Sequence, residues 1–291
     1  MEIWLQNVTF GALIGGLYGL AAVGLALVFG VLRMLNVSHG ELLMLGGYGT
    51  VWLFTLWGVD PFASVLLVGP ALFAAGAVLY RALFARLARL AEESRIQMSI
   101  LIGFGLALAL HAAAILAWTA DERAVTAGYA GMVLRLGPLV APVTRLAGLG
   151  VACVALAALH LILQRTDLGR AIRATAEDWE AASLMGVPVG RVYRTAFALG
   201  CALAGVAGAL VAVSDAVSPA IGLSWTLKAL IVVVLAGLGN IFGTFIAGVL
   251  LGVAESAAAF ALGGVFREVV GLAVFVAVLL VRPEGLFGRG A

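Results

Sequence analysis

The chain has 291 residues, of which 64% are hydrophobic and 11% are charged, and its formal net charge is only +2. Because soluble globular domains carry roughly 25% charged residues, this composition excludes an ordinary water-soluble fold. The near-neutral charge also gives no electrostatic basis for binding nucleic acid.

Apolar runs of about 20 residues recur along the chain, and each can cross a hydrocarbon core of roughly 30 Å. Backbone polar groups must be satisfied internally in lipid, and these runs are continuous and do not alternate, so helices are favoured over a membrane barrel. We therefore predict an all-α, multi-pass membrane protein with about 8–10 transmembrane or half-spanning helices, forming one transmembrane domain over residues 1–291. An internal inverted repeat is a further expectation for such a fold.

The first predicted span covers about Val8–Leu32, and we expect it to be an uncleaved span because no basic segment precedes it. Gly11, Gly15 and Gly19 follow one another at four-residue spacing. This spacing places them on one face of a helix, where a neighbouring helix can approach closely.

The stretch after the first span holds four polar residues close together, and apolar character then resumes. Polar groups between two spans are tolerated in a membrane only against protein or a water-filled cavity. We therefore predict a broken or re-entrant entry here, at Asn36, Ser38, His39 and Glu41.

The remaining apolar runs predict further spans, and residues 121–145 form a long polar gap without a strong pattern. Trp225–Leu238 is short for a full crossing, which favours a half-helix. Gly200, Ala204 and Gly208 repeat the spacing of small residues seen in the first span. The other predicted spans cover residues 62–84, 96–118, 146–163, 193–213, 242–262 and 265–281.

The orientation follows from the arginine-rich connections. Residues 81–95 and 165–194 are the two connections richest in arginine, and two spans separate them. Basic residues in short loops favour the cytoplasm. We therefore predict that both connections are cytoplasmic and that the N-terminus lies outside.

The sequence carries none of the common catalytic or metal-binding motifs. It lacks GxxxxGK[ST], HExxH, CxxC and GxSxG patterns. Cys153 and Cys201 lie within apolar runs and are predicted to be small core residues without a disulfide. We therefore predict a protein that is not an enzyme, with no catalytic residue, metal site or cofactor of its own.

Ionisable residues in the predicted spans are the next candidates, because burying one in lipid costs at least about 2.5–3.5 kcal/mol. Glu41 and Glu255 either line or brace a polar pathway, or they are satisfied groups in helix packing. The ends of half-helices near Asn36–Glu41 and near Gly237–Gly243, which includes Asn240, would supply dipoles to a zwitterionic solute. The predicted path residues are thus Asn36, Ser38, His39, Glu41, Asn240 and Glu255.

Asp167–Pro188 is the one long polar helix predicted in the chain. Asp167 is its expected N-cap, Gly186 its expected stop, and Pro188 can begin the next helix. Arg173 and Glu177 form a predicted i, i+4 pair. A narrow, mostly apolar stripe consists of Ile172, Ala176, Trp179 and Ser183. From these residues alone, a helix lying on the membrane surface and a helix docked in a protein groove are equally favoured.

Four parts of the sequence carry a resemblance to a known family, and it is their combination, in the order in which they follow one another along the chain, that is specific. GRAIRATAEDWEAASLMGVP resembles the cytoplasmic coupling loop of ABC-importer permeases, with Glu-Ala-Ala and a later Gly as its matching residues. The other parts are LNVSHGELLMLGGY, KALIVVVLAGLGNIFGTFIAGVLLGVAES and LLVRPEGLFG. Over its whole length the chain resembles LivH-type permeases of branched-chain amino acid importers.

This resemblance implies a single permease domain in the bacterial cytoplasmic (inner) membrane, driven by alternating access. The implied partners are a second LivM-like permease, two ABC ATPase subunits that use the ATP, a periplasmic or extracellular substrate-binding protein, and membrane lipid, with no nucleic acid. The residues implied to contact an ATPase are Arg170, Arg173, Glu177, Asp178, Glu180, Ala181, Ala182 and Gly186.

Two alternatives stay open at this point. The family is close to importers of urea and amides, so the solute could be of that kind. A secondary transporter or channel would work without an ATPase and would leave the polar helix without a purpose.

Overall fold

The structure is a computed structural model that describes residues 2–137 and 139–288. Within these residues the chain forms eleven α-helices and one small antiparallel hairpin. The hairpin lies in the polar gap, where no sequence pattern predicted strands, and its strands are β1 (Val133–Leu136) and β2 (Leu139–Pro142). The helices are α1 (Glu2–Leu32), α2 (His39–Trp57), α3 (Val65–Leu79), α4 (Glu92–Trp118), α5 (Val143–Arg165), α6 (Asp167–Glu177), α7 (Trp179–Leu184), α8 (Val189–Ser214), α9 (Ile221–Ala236), α10 (Ile241–Leu262) and α11 (Phe266–Val281).

Six of these helices are long and apolar enough to cross a membrane. They are α1, α4, α5, α8, α10, and α3 extended by the π-helical turn Tyr80–Phe84. Helix α2 has 19 residues, and the shorter α9 and α11 have 16 residues each. The predicted class of multi-pass helical membrane protein is confirmed.

Helix α1 packs antiparallel along α10 through glycines on both helices. A Cβ atom at Gly15 would lie 2.6 Å from the Cα of Val249, and one at Gly252 would lie 2.5 Å from the Cα of Gly15. Only a hydrogen atom fits in place of a side chain at such backbone separations. The predicted glycine stripe on the first span is therefore a close helix contact.

Helix α8 is the second buried helix at the centre of the fold. It crosses α1 where a Cβ atom at Gly200 would lie 2.7 Å from the carbonyl oxygen of Gly24. It also runs antiparallel to α3, with Gly76 facing Cys201. Cys201 is buried in this contact as predicted, whereas Cys153 is exposed on α5, so the prediction of a core position was wrong for Cys153.

The chain reverses between α1 and α2 inside the helix bundle. After Leu32 it returns through residues 33–38, and α2 then begins beside the middle of α1. His39, the first residue of α2, shows where α2 begins along α1, because its Nε2 atom lies 2.8 Å from the carbonyl oxygen of Ala21. The broken entry predicted at Asn36–Glu41 is thus present.

A second reversal lies between α8 and α9. Residues 215–220 lead back into the bundle, and α9 begins beside the start of α2, where the Gly40 N–H donates to Thr226 Oγ1 over 2.9 Å. Helix α9 is the predicted half-helix. The break itself was misplaced, however, because Gly239 lies beside Gly30 near the end of α1, at the edge of the bundle.

The C-terminal segment, residues 283–288, covers the last turn of α9. The N–H groups of Leu286 and Phe287 donate to the carbonyl oxygens of Leu235 and Ala236 over 2.7 and 2.9 Å. The last carbonyls of a helix have no partner within the helix. This segment supplies two of the missing partners at the end of α9.

Candidate functional site

The polar stretch 167–188 forms two helices, α6 and α7, not the single helix that was predicted. Thr166 caps α6, since its side chain accepts a hydrogen bond from the Gly169 N–H, and Asp167 is the first helical residue. Asp167 pairs with Arg170, and no ion pair joins Arg173 to Glu177 among the described side chains. Asp167 is not the cap because a threonine hydroxyl, one residue earlier, takes the capping position.

Asp178 separates the two helices. Its Oδ1 atom accepts hydrogen bonds from the N–H groups of Glu180 and Ala181 over 2.9 and 3.0 Å, which starts α7 in a new direction. The predicted apolar stripe therefore continues only to the end of α6. Ile172 is buried, whereas Trp179 is 41% exposed.

Gly186 ends α7 in the manner predicted for it. Its φ angle is +84°, and the N–H groups of Gly186 and Val187 donate to the carbonyl oxygens of Ser183 and Ala182. This is the Schellman pattern, in which glycine is favoured because L side chains rarely adopt positive φ. The turn leaves Leu184 and Met185 89% and 85% exposed, so α7 presents an apolar tip.

Arg95 connects the α6–α7 segment to the end of α1. Its guanidinium donates to the carbonyl oxygens of Leu90 and Leu32 over 3.0 and 3.4 Å. The same group lies 5.8 Å from the ring centroid of Trp179 on α7. Arg95 thus contacts both α7 and the residue at which α1 ends.

The two reversals bring together a buried set of polar residues, which we call the polar centre: Asn36, Ser38, His39, Glu41 and Thr226. Asn36 Oδ1 accepts hydrogen bonds from the backbone N–H and the hydroxyl of Ser38. The carboxyl group of Glu41 occupies the space beside Gly222 where a side chain would otherwise lie. Four of the six predicted path residues are thus adjacent, and the first turns of α2 and α9 converge on them.

Glu255, another predicted path residue, lies in a separate ionic cluster. Its Oε1 atom is 2.9 Å from Lys228 Nζ, and its Oε2 atom is 3.1 Å from Arg267 Nε and 3.0 Å from the Tyr18 hydroxyl. The side chain of Glu255 is only 2% exposed. The cluster joins α1, α9, α10 and α11, so Glu255 has the contacts of a residue that braces helices.

Asn240, the last of the predicted path residues, caps α10 by accepting from the Gly243 N–H over 2.9 Å, and it donates to the carbonyl oxygen of Phe287. It borders a cavity of about 820 Å³ at the side of the bundle where α1 ends. Arg173 and Glu177 of α6 line the same cavity. The cavity thus connects the end of the half-helix α9 with the α6–α7 segment.

Several residues of these sites were not predicted as site residues. Arg95, Thr226 and Arg267 lie in or next to predicted spans, and only their polarity marked them. Lys228 is the single lysine of the chain and lies in an apolar run, but its partner lies 27 residues away on another helix. In each case a polar residue in or next to an apolar run was visible in the sequence. The partner of each residue could not be predicted, because it depends on how the helices pack.

Comparison with known proteins gives one consistent result. Residues 7–280 match the family model described as branched-chain amino acid transport system / permease component. The chain is 31% identical to the high-affinity branched-chain amino acid transport system permease protein BraD of Pseudomonas aeruginosa, over 98% of this chain and 96% of that protein. It is 30% identical to LivH of Escherichia coli K12, over the same shares of the two chains. It is 28% identical to a probable LivH of the archaeon Methanocaldococcus jannaschii, over 96% of this chain and 91% of that protein.

Proposed function

Because this chain belongs to the family of branched-chain amino acid transport permeases, we propose that it is the membrane subunit of an ATP-driven importer for branched-chain amino acids. The family match over residues 7–280 carries this proposal. It also favours an importer over a secondary transporter or channel. Urea and amides become the less favoured solutes, since the relatives named above are branched-chain amino acid permeases.

We propose that the subunit lies in the cytoplasmic membrane as a single permease domain with its N-terminus outside. The α6–α7 segment and the arginine-rich connection 81–95 then face the cytoplasm. A second permease, two ATPase subunits and a substrate-binding protein complete the importer. The binding protein would dock on the outer side, near the β1–β2 hairpin.

The α6–α7 segment is the proposed contact for an ATPase. Its exposed apolar tip, Leu184 and Met185, is suited to a groove on a partner protein. The charged residues proposed to surround this contact are Arg170, Arg173, Glu177, Asp178 and Glu180. Through Trp179 and Arg95, movement of the ATPases would reach the end of α1 and the first reversal.

The proposed transport cycle is alternating access around the polar centre. The two reversals have related shapes: α1 and α8 run in opposite directions, and each is followed by an extended return and a helix that begins inside the bundle. This relation supports an inverted repeat, in which α1 and α2 correspond to α8 and α9. Rocking of such halves would open the polar centre to each side of the membrane in turn.

The proposal is tested by ATP-driven leucine uptake in vesicles that contain the whole importer. Glu180→Lys and Gly186→Trp should abolish uptake, because the first reverses a charge at the proposed contact and the second forces a bulky residue into a positive φ. Both variants should still be found in the membrane. Glu93→Lys is the matched control, since Glu93 is exposed on α4 outside the α6–α7 segment, and it should transport normally.

Uptake that persists without ATP in the unmodified importer would refute an ATP-driven mechanism. Normal uptake by both Glu180→Lys and Gly186→Trp would refute the coupling role of α6–α7 alone. Co-purification of the chain with an ATPase gives an independent measure of the same contact.

A further inference from the structure

Glu41 has a buried carboxylate oxygen without a hydrogen-bond partner. The residue is 3% exposed, and no donor among the described residues reaches its Oε2 atom. The nearby hydroxyl of Thr226 is already engaged, because it accepts from the Gly40 N–H and lies within hydrogen-bonding distance of the carbonyl oxygens of Val37 and Gly222. Buried polar groups are nearly always hydrogen-bonded, so an orphan oxygen indicates a missing binding partner.

Two helix ends favour a negative charge on this carboxyl group. Glu41 belongs to the first turn of α2, and its carboxyl group lies against Gly222 in the first turn of α9. Each helix N-terminus carries about half a positive elementary charge. Together they offset the charge of a carboxylate without occupying its Oε2 atom.

A second acceptor faces the same place from α4. His111 lies at the level of Glu41, because α4 places Gly103 beside Val37 and Trp118 against Tyr48, and both residues lie between these two contacts. Its Nδ1 atom lies 3.1 Å from the carbonyl oxygen of Pro219 and must donate to it, so the Nε2 atom of the neutral ring is an acceptor. Two acceptors, with no donor within hydrogen-bonding distance of Glu41 Oε2, describe a site for a small cation that carries N–H groups.

From this geometry we infer that Glu41 and His111 form a binding site for the ammonium group of the transported solute. An ammonium group has three donors in a compact volume, which matches two acceptors in a narrow space. A metal ion fits less well, since sodium or calcium would need more oxygen ligands than this site offers. The inference rests on the proposed function, and it adds a position within the subunit where an amino acid would be held.

The contact between α2 and α4 continues from Glu41 toward the outer side. About 10 Å further along α2, two turns away, the ring of Tyr48 stacks on that of Trp118 with centroids 4.4 Å apart. The Tyr48 hydroxyl and Trp118 Nε1 are also buried without partners. The stacked rings block this end of the contact between α2 and α4, so their polar atoms would meet a solute on its way to Glu41 only after the rings separate.

The test uses proteoliposomes that contain the complete importer and the leucine-loaded binding protein. Two rates are measured: uptake of radiolabelled leucine, and ATP hydrolysis stimulated by the binding protein. Glu41→Gln should lower the leucine transported per ATP hydrolysed by about tenfold, as expected for loss of one charge-assisted hydrogen bond. Stimulated hydrolysis and the thermal unfolding temperature should be kept. Glu268→Gln is the matched control, because it makes the same chemical change at an exposed residue of α11.

An unchanged ratio in Glu41→Gln would overturn the ammonium site. If that variant does not fold, Glu41→Asp replaces it: the charge is kept but withdrawn by one methylene group, and the ratio must again fall. An unchanged ratio in that variant overturns the site equally. Failure of the proposed function would look different, because the unmodified importer would then show no ATP-dependent uptake.

Discussion

The ionic cluster around Glu255 makes a quantitative prediction about stability. In Glu255→Gln the carboxylate is lost, while Lys228 and Arg267 stay, so the net charge of the cluster rises from +1 to +2. Removing one member of a buried ion pair costs about 3–5 kcal/mol, because the remaining charge has no partner. Lys228, whose side chain is 17% exposed, accounts for most of this cost. Arg267 is 35% exposed and can turn toward a more polar environment, so we expect about 3 kcal/mol, the lower part of that range.

The measurement is the free energy of unfolding in mixed micelles titrated with SDS. Glu268→Gln serves as the control and should change this free energy by less than about 0.5 kcal/mol. Adding Lys228→Met to Glu255→Gln restores the net charge of +1 and should recover more than half of the loss, because the two sites are in contact. A loss below about 1 kcal/mol in Glu255→Gln would refute the bracing role. If leucine uptake falls while stability is kept, Glu255 lines the path instead.

Two further predictions concern other parts of the fold. Gly252→Leu should prevent α1 and α10 from closing, because its Cβ atom would lie 2.5 Å from the Cα of Gly15; the yield of monodisperse protein in detergent should fall sharply, whereas Gly105→Leu, at a glycine with open space, should behave normally. Equal yields would contradict the close contact. Between α4 and the β1–β2 hairpin, partial burial and then the hydrogen bond to Asp60 raise the pKa of Tyr129 to about 12. This contact should stabilise the fold below pH 10 and be lost as the pH rises through about 12, and a difference absorbance titration against Tyr129→Phe should show a phenol that ionises near pH 12 and not near 10.

Close helix contacts were the part of the fold that could be predicted best. Glycines at four-residue spacing leave a bare face on any helix, and in a membrane such faces meet other helices. Gly15 and Gly200 are both in contacts of this kind. The partner helix of each could not be predicted, because the spacing contains no information about the opposing surface.

The two reversals show where sequence patterns fail. Asn36–Glu41 is polar enough to mark a break between apolar runs. In the second case the half-helix end that faces the solute was predicted at the Gly-rich stretch 237–243, although the break inside the bundle lies at 215–220. A turn signal indicates that the chain bends, but the depth of the bend in the membrane depends on how α9 packs beside α1 and α2.

The prediction of a single helix over residues 167–188 was wrong for a more local reason. An aspartate can lie within a helix on its exposed side or cap a new helix with its carboxylate. Asp178 does the second, and an N-cap side chain contributes about 1 kcal/mol. A contribution of this size can be outweighed by tertiary contacts, among them the stacking of Trp179 beside Arg95.

The C-terminal segment has a consequence for how the protein is made. Helix α9 is too short to span the bilayer by itself, and the backbone groups that cover its last carbonyls belong to residues synthesised about fifty positions later, at Leu286 and Phe287. During translation α9 therefore leaves the insertion machinery with an unfinished end. We expect α9 to settle only after residues 283–288 have been made. A later segment of the chain thus fixes a helix that precedes it in the sequence.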